Sequence, residues 1–138
     1  SFGKEHYFMV EIVVDYLGKL VIIFLGELDG LLYALVIFVV LDYITGICAA
    51  IQAKHLSSNI GAKGIAKKVA IFLVISVAHV ADQYLVDSTD VLRSMTTLFY
   101  LSNEGISIFE NIGKIGIPLP GKLNNLLSRF EDIKNQMK

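Results

Sequence analysis

The chain has 138 residues, 54% hydrophobic and only 18% charged, with a mean hydropathy of +0.63 and no tryptophan, less charge than a soluble domain of this size usually carries. A net charge of -1 gives no reason to expect nucleic acid as a partner. The single cysteine, Cys48, excludes an internal disulfide framework, and with three scattered histidines it offers no metal-ligand spacing.

No basic-then-apolar leader with a small-residue cleavage site stands at the beginning, so a cleaved signal peptide is not expected. In chain order, the first apolar stretch covers about residues 9–26, with Glu11, Asp15 and Lys19 at i, i+4 and i+8 and only Leu20 to Leu25 fully apolar. Two placements are open to it, a membrane span or an amphipathic helix lying at the interface. Its three charges raise a further expectation, that this weakly inserting helix can change its membrane placement.

The second stretch, about residues 30–53, runs 24 residues with one charge, Asp42. At about 1.5 Å per residue it is long enough for the roughly 30 Å of a bilayer's hydrocarbon. Asp42 has no Lys or Arg nearby in the sequence, and it shares a helical stripe with Thr45, Gly46, Ala49, Ala50 and Ala53. Small residues on such a stripe let two membrane helices approach closely, and Asp42 or Thr45 can add an interhelical hydrogen bond. Cys48 reads as one more small residue.

The third stretch, about 68–86, is uncharged over the 13 residues Val69 to Ala81 and then meets Asp82; Ser76, His79 and Gln83 align on one face. The fourth, about 91–112, is amphipathic: Thr96, Tyr100, Asn103, Glu104, Ser107, Glu110 and Asn111 fall within an arc of roughly 100°. After "GIPLPG", Leu123, Leu126, Leu127, Phe130 and Ile133 repeat at helical spacing and predict a short amphipathic helix over about 120–137. That tail rests on the inner membrane surface, packs on a neighbouring copy, or is solvated.

The connectors sort by charge. Residues 54–68 carry Lys54, Lys63, Lys67 and Lys68 with no acid, whereas Gly26 to Gly30 and Asp87 to Asp90 carry acids with no base. Short lysine-rich loops stay cytoplasmic, so four spans place this basic loop and both termini inside and both acidic turns outside; the tail agrees, with Lys114, Lys122, Arg129, Lys134 and Lys138. The expectation is one all-α integral membrane domain over residues 1–138, with three to four transmembrane helices plus the C-terminal amphipathic helix.

An ionisable residue at the centre of a span costs about 2.5 to 3.5 kcal/mol, so each needs a partner or water. The candidates for a pore lining or a helix interface are Asp42, Thr45, Gly46, His79, Asp82, Asn103, Glu104, Ser107, Glu110 and Asn111. Within one protomer they satisfy each other, as Asp15 with Lys19 or His79 with Asp82; across an oligomer the acid-rich stripe lines a cation-favouring lumen. "GAKGIAKK" lacks the spacing of a phosphate-binding loop and reads as a basic helix start near anionic lipid heads. No nucleophile-and-base grouping stands out, so no enzyme and no cofactor is expected.

Three blocks, "ALVIFVVLDYITGICAAI", "LSSNIGAKGIAKKVAIFLV" and "NEGISIFENIGKIGIPLPGKL", resemble the successive signature blocks of the bacteriophage holin family that includes the toxin-secretion and phage-lysis holins of Gram-positive bacteria and their phages. The resemblance runs from about Leu31 to Leu127. It implies a small protein of the cytoplasmic membrane that accumulates, forms homo-oligomers and opens lesions, through which an endolysin reaches the wall or a large toxin leaves. By position, the blocks correspond to Asp42, Tyr43, Thr45 and Gly46, to Ser57, Ser58, Gly61, Gly64, Lys67 and Lys68, and to Asn103, Glu104, Ser107, Glu110, Asn111, Gly116, Pro118 and Pro120. None is catalytic. Two other functions stay open: a small cation channel or proton-coupled exporter using Glu104 or Asp42, which lacks the support of an inverted repeat, and a regulator that co-assembles with a holin and holds it closed.

Overall fold

In the computed structural model, which describes residues 1–87 and 89–137 apart from the side chains of Phe130 and Lys134, the chain is all-α. Five helices follow one another among the described residues: α1 (Phe2–Leu25), α2 (Gly30–Gln52), α3 (Ser58–Tyr84), α4 (Val91–Ile115) and α5 (Gly121–Gln136). Their ends follow local chemistry. Gly26 turns the chain out of α1 at φ 79°, and three residues later Asp29 caps α2 by accepting from the Leu32 N–H at 2.9 Å. Gly116, at φ 96°, ends α4 ahead of Pro118 and Pro120, the left-handed stop expected before a proline-rich segment.

The third helix departs from expectation. It begins at Ser58, well before the expected start near residue 68, because Ser57 accepts from the Ile60 N–H at 3.2 Å and opens the helix there. Lys63, Lys67 and Lys68 therefore stand on α3 and not in a loop, which leaves Lys54 alone of the four in the short α2–α3 connection. Gly64 lets this early part of α3 lie close to α2, since a Cβ there would come within 3.3 Å of the Tyr43 ring, while one on Gly61 would stand in ordinary contact, 3.5 Å from its hydroxyl. At the other end of the chain, α1 starts at Phe2, earlier than residue 9, and buries no residue at all. The positions of the Phe130 and Lys134 side chains and of Lys138, counted above in the tail's pattern and charge, lie outside the described residues.

Helix α4 packs most extensively on α2 and then on α3, while α2 and α3 touch each other little; α1 lies along α3. The apolar core is small: Leu32, Leu35 and Val39 from α2 meet Ile71 and Ile75 from α3, with Leu25, Phe72, Tyr100 and Leu101 against them. Among the described residues, five polar ones are buried beside these: Asp42, Asp82, Arg93, Thr97 and Glu104. Meanwhile large apolar side chains cover the outside, such as Val40, Leu41 and Ile44 on α2 and Leu73 and Val77 on α3. This polarity is the reverse of a water-soluble bundle. Helices α2 and α3, of 23 and 27 residues, are long and apolar enough to cross a bilayer.

Candidate functional site

Two polar centres join the helices, one near mid-height and one at the end where α1 meets α2 and α3 meets α4. The mid-height centre is built on Lys68. Its ammonium donates to the carboxylates of both Asp42 on α2 and Glu104 on α4, so one cation ties three helices. All three side chains are largely withdrawn from solvent, at 13%, 9% and 6% exposure for Lys68, Asp42 and Glu104. Asn111, two turns along α4 from Glu104, extends the contact: its Nδ2 donates to Asp42 Oδ1 at 3.0 Å, to the Asp42 carbonyl at 3.3 Å and to Thr45 Oγ1 at 3.1 Å. Thr45 in turn donates to the carbonyls of Leu41 and Asp42 at 2.8 and 3.1 Å, a back-bond that satisfies its hydroxyl without leaving the helix. Gly46 lies against Asn111: a Cβ there would stand 3.5 Å from Asn111 Nδ2, in ordinary van der Waals contact.

The other centre is built on Arg93, whose side chain is 3% exposed. Its Nε donates to the Leu25 carbonyl at 2.6 Å, Nη2 to the Glu27 carbonyl at 2.6 Å and Nη1 to Asp29 Oδ2 at 2.7 Å. The guanidinium thereby closes the C-terminus of α1 and clamps the α1–α2 turn onto α4. Asp82 performs the corresponding service for α4. Asp90, at the N-cap position with φ 58°, makes no side-chain cap bond, and Asp82 of α3 accepts instead from the Leu92 and Arg93 N–H groups at 3.1 and 2.8 Å. Thr97 completes the centre by donating to the Arg93 carbonyl at 2.7 Å.

The hydrogen bond from Arg93, backed by the Leu32 N–H, holds the Asp29 carboxyl below the usual carboxylate range against the opposing effect of burial. His79 Nδ1 is buried without a hydrogen-bond partner among the described residues and lies 3.8 Å from Asp90 Oδ1. Gly26 packs against both His79 and Arg93; a Cβ there would come within 3.0 and 2.9 Å of them, so neither its φ nor its surroundings admit a side chain.

The expected site residues thus divide. Asp42, Thr45, Gly46, Glu104 and Asn111 come together at one junction, and Lys68, expected on a cytoplasmic loop, is its centre. Ser107 and Glu110 are half-buried and, with the exposed Asn103, line a cavity of about 640 Å³ beside the junction, between α3 and α4, that Ile133 of α5 and Met137 just after that helix also border. His79 and Asp82 belong to the other centre. Lys54, Lys63 and Lys67 are exposed, as is the pair of Asp15 and Lys19, 3.0 Å apart on α1 with the exposed Glu11 one turn before. Arg93, Thr97 and Asp29 were not among the candidates. The available signal for Arg93 was that it is the one arginine within the four apolar stretches, a cation needing a buried acceptor set.

A reversed polarity, spanning-length helices and charge-mediated joints define the class: an all-helical membrane protein. The bacteriophage holin family model matches residues 19–132, and the chain belongs to that family. It is not a family of enzymes. Among relatives, a probable holin of Bacillus phage phi105 is 37% identical, over 80% of this chain and 81% of its own length. An uncharacterised 14.9 kDa protein of Clostridium perfringens is 41% identical over 86% and 89% of the two chains, and an uncharacterised Listeria monocytogenes protein 43% identical over 77% and 75%. No solved structure matches the chain significantly.

Proposed function

We propose that this protein acts as a holin of the bacterial cytoplasmic membrane, crossing it several times, assembling with copies of itself and opening lesions through which an endolysin or another large protein passes. The observation that carries this is the reversed polarity. Asp42, Asp82, Arg93 and Glu104 are buried while Val40, Ile44, Leu73 and Val77 are exposed, an arrangement suited to lipid outside and to helix contacts inside. In this reading α2, α3 and α4 span, α4 turning its charged face inward and Met95, Leu98 and Phe99 outward. Helix α1 spans or lies at the interface, and with four spans both termini are cytoplasmic.

Asn103, Ser107 and Glu110 are the candidates for contact with a second copy or a wet lumen, because the junction acids are already engaged by Lys68. Expression of the chain in a bacterium together with a cytoplasmic endolysin tests the proposal. An abrupt fall in optical density that depends on both proteins and on the amount of this one is expected; steady growth despite verified membrane insertion would overturn it.

A further inference from the structure

Helix α1 is an arm that its own chain leaves unsupported. Every residue from Phe2 to Lys19 is exposed, and only Leu20 and Leu25, toward the end held by Arg93, are half-buried. Glu11, Asp15 and Lys19 run along one side of the arm, while the exposed Val13 and Val14 face other directions. Asp15 and Lys19 pair with each other, but Glu11 makes no ion pair or hydrogen bond among the described residues. A stripe of three charges turned toward lipid within a span is costly, so a spanning α1 needs a polar surface to lie on.

The bundle carries such a surface in the cavity between α3 and α4, lined among others by Lys67, Asn103 and Ser107. Lys67 and Asn103 are exposed, and neither makes an ion pair or hydrogen bond through its side chain among the described residues. Ile133 and Met137 border the cavity but are themselves exposed, so they edge its opening and do not fill it. The chain's own arm stands elsewhere: its end packs through Gly26 on His79, which lies about 140° around α3 from Val74 on the cavity wall. The arm and the cavity also match in depth. Arg93 donates to the Leu25 carbonyl while its own backbone N–H donates to Asp82, which puts Leu25, Asp82 and Arg93 at one level. At about 1.5 Å per residue, Glu11 lies about 21 Å from that level along α1 and Lys67 about 22 Å along α3, while Asp15 and Asn103 each lie about 15 Å away.

We propose that α1 of one copy docks in the α3–α4 cavity of the next copy, with Glu11 paired to Lys67 and the Asn103 amide donating to Asp15. Copies in one membrane share orientation and level, so a depth match within one chain holds between neighbours. Opposite charges then meet at a common depth, and the Asp15–Lys19 pair stays intact. The arm and the cavity are different surfaces of the same chain, so the contact is heterologous and repeats from copy to copy, closing a ring or extending as an array. The inference rests on the membrane placement and self-assembly proposed above, with α1 as a span, and names the two surfaces that meet.

Cross-linking between copies tests it. Two full-length chains with different tags, both carrying Cys48→Ala, are expressed together, one with Asp15→Cys and the other with Asn103→Cys. Oxidation of the membranes is expected to give a disulfide-linked dimer bearing both tags. Val13→Cys, on the opposite side of the arm, is expected to give no such dimer with Asn103→Cys. Adding Glu11→Lys to the chain that supplies the arm is expected to abolish the link, and adding Lys67→Glu to the other chain to restore it. Absence of the mixed dimer from inserted chains, an equal yield from Val13→Cys, a link that survives Glu11→Lys, or no restoration by the reversed pair overturns the proposal. So does a chain carrying both Asp15→Cys and Asn103→Cys that closes on itself and yields only cross-linked monomer. Endolysin-dependent lysis without the mixed dimer would sink this interface alone, and the mixed dimer without lysis would sink the holin function alone.

Discussion

Lys68 carries the most chemistry of any single residue here. Removing it strands two carboxylates at once, whereas removing either carboxylate leaves a matched pair. Breaking a buried ion pair by deleting one partner costs about 3–5 kcal/mol, so Lys68→Met is expected to lower stability in detergent by that order, with Asp42→Asn costing clearly less. Thermal unfolding followed by circular dichroism checks the ranking, and equal losses would show that Lys68 only packs. The sequence made most of this junction readable. Asp42, Thr45, Gly46, Glu104 and Asn111 stand out as polar or small residues on apolar helices. Lys68 did not, because a lysine bordering a basic run reads as loop until Ser57 is seen to start the helix before it. The pairing of α2 with α4 across α3's lysine is long-range information that no helical period carries.

At the scale of elements, the fold shows how α1 is retained although it buries nothing of its own: the Arg93 clamp on the Leu25 and Glu27 carbonyls and on Asp29 fixes its end. Lysine keeps the charge but lacks the fork that serves three acceptors together. Arg93→Lys is therefore expected to cost about 1–3 kcal/mol, the penalty of leaving part of a buried acceptor set unsatisfied. The same variant alters the acid response. Because Asp29 is held below its ordinary value, its contribution is present above the usual carboxylate range and is lost as pH falls through that lowered value. In Arg93→Lys this acid-sensitive part shrinks, which unfolding measured across the acidic range will show. Helix number and the α2, α4 and α5 limits were largely legible from apolar runs and from Gly26, Gly116 and the prolines. The early start of α3 was not, since Gly61 and Gly64 look like loop residues, and Gly64 serves instead as the close contact with the Tyr43 ring.

For the whole molecule, moving Lys63, Lys67 and Lys68 onto α3 changes what the charge sorting rests on. Lys68 is spent inside the bundle, so the basic end of the molecule is marked by Lys54 and Lys63 together with Lys114 and Lys122 beyond the junction, while Glu27, Asp29, Asp87 and Asp90 gather at the opposite end. Cations near the ends of spans favour the cytoplasmic side, and acids weigh little, so the proposed orientation survives the loss of Lys68 from the count. It also does not depend on whether α1 spans, because the α1–α2 turn and the α2–α3 connection sit at opposite ends of α2 in either case. With Cys48 replaced by alanine, single cysteines at these two places report the orientation: Glu27→Cys is expected to react with a membrane-impermeant maleimide in intact cells, and His55→Cys only after the cells are opened. Both positions are exposed and neither side chain takes part in a cap or an ion pair among the described residues, so labelling reads the side of the membrane and not local packing. Labelling of His55→Cys in intact cells, with Glu27→Cys protected, would invert the topology and detach the holin proposal from its cytoplasmic basic face.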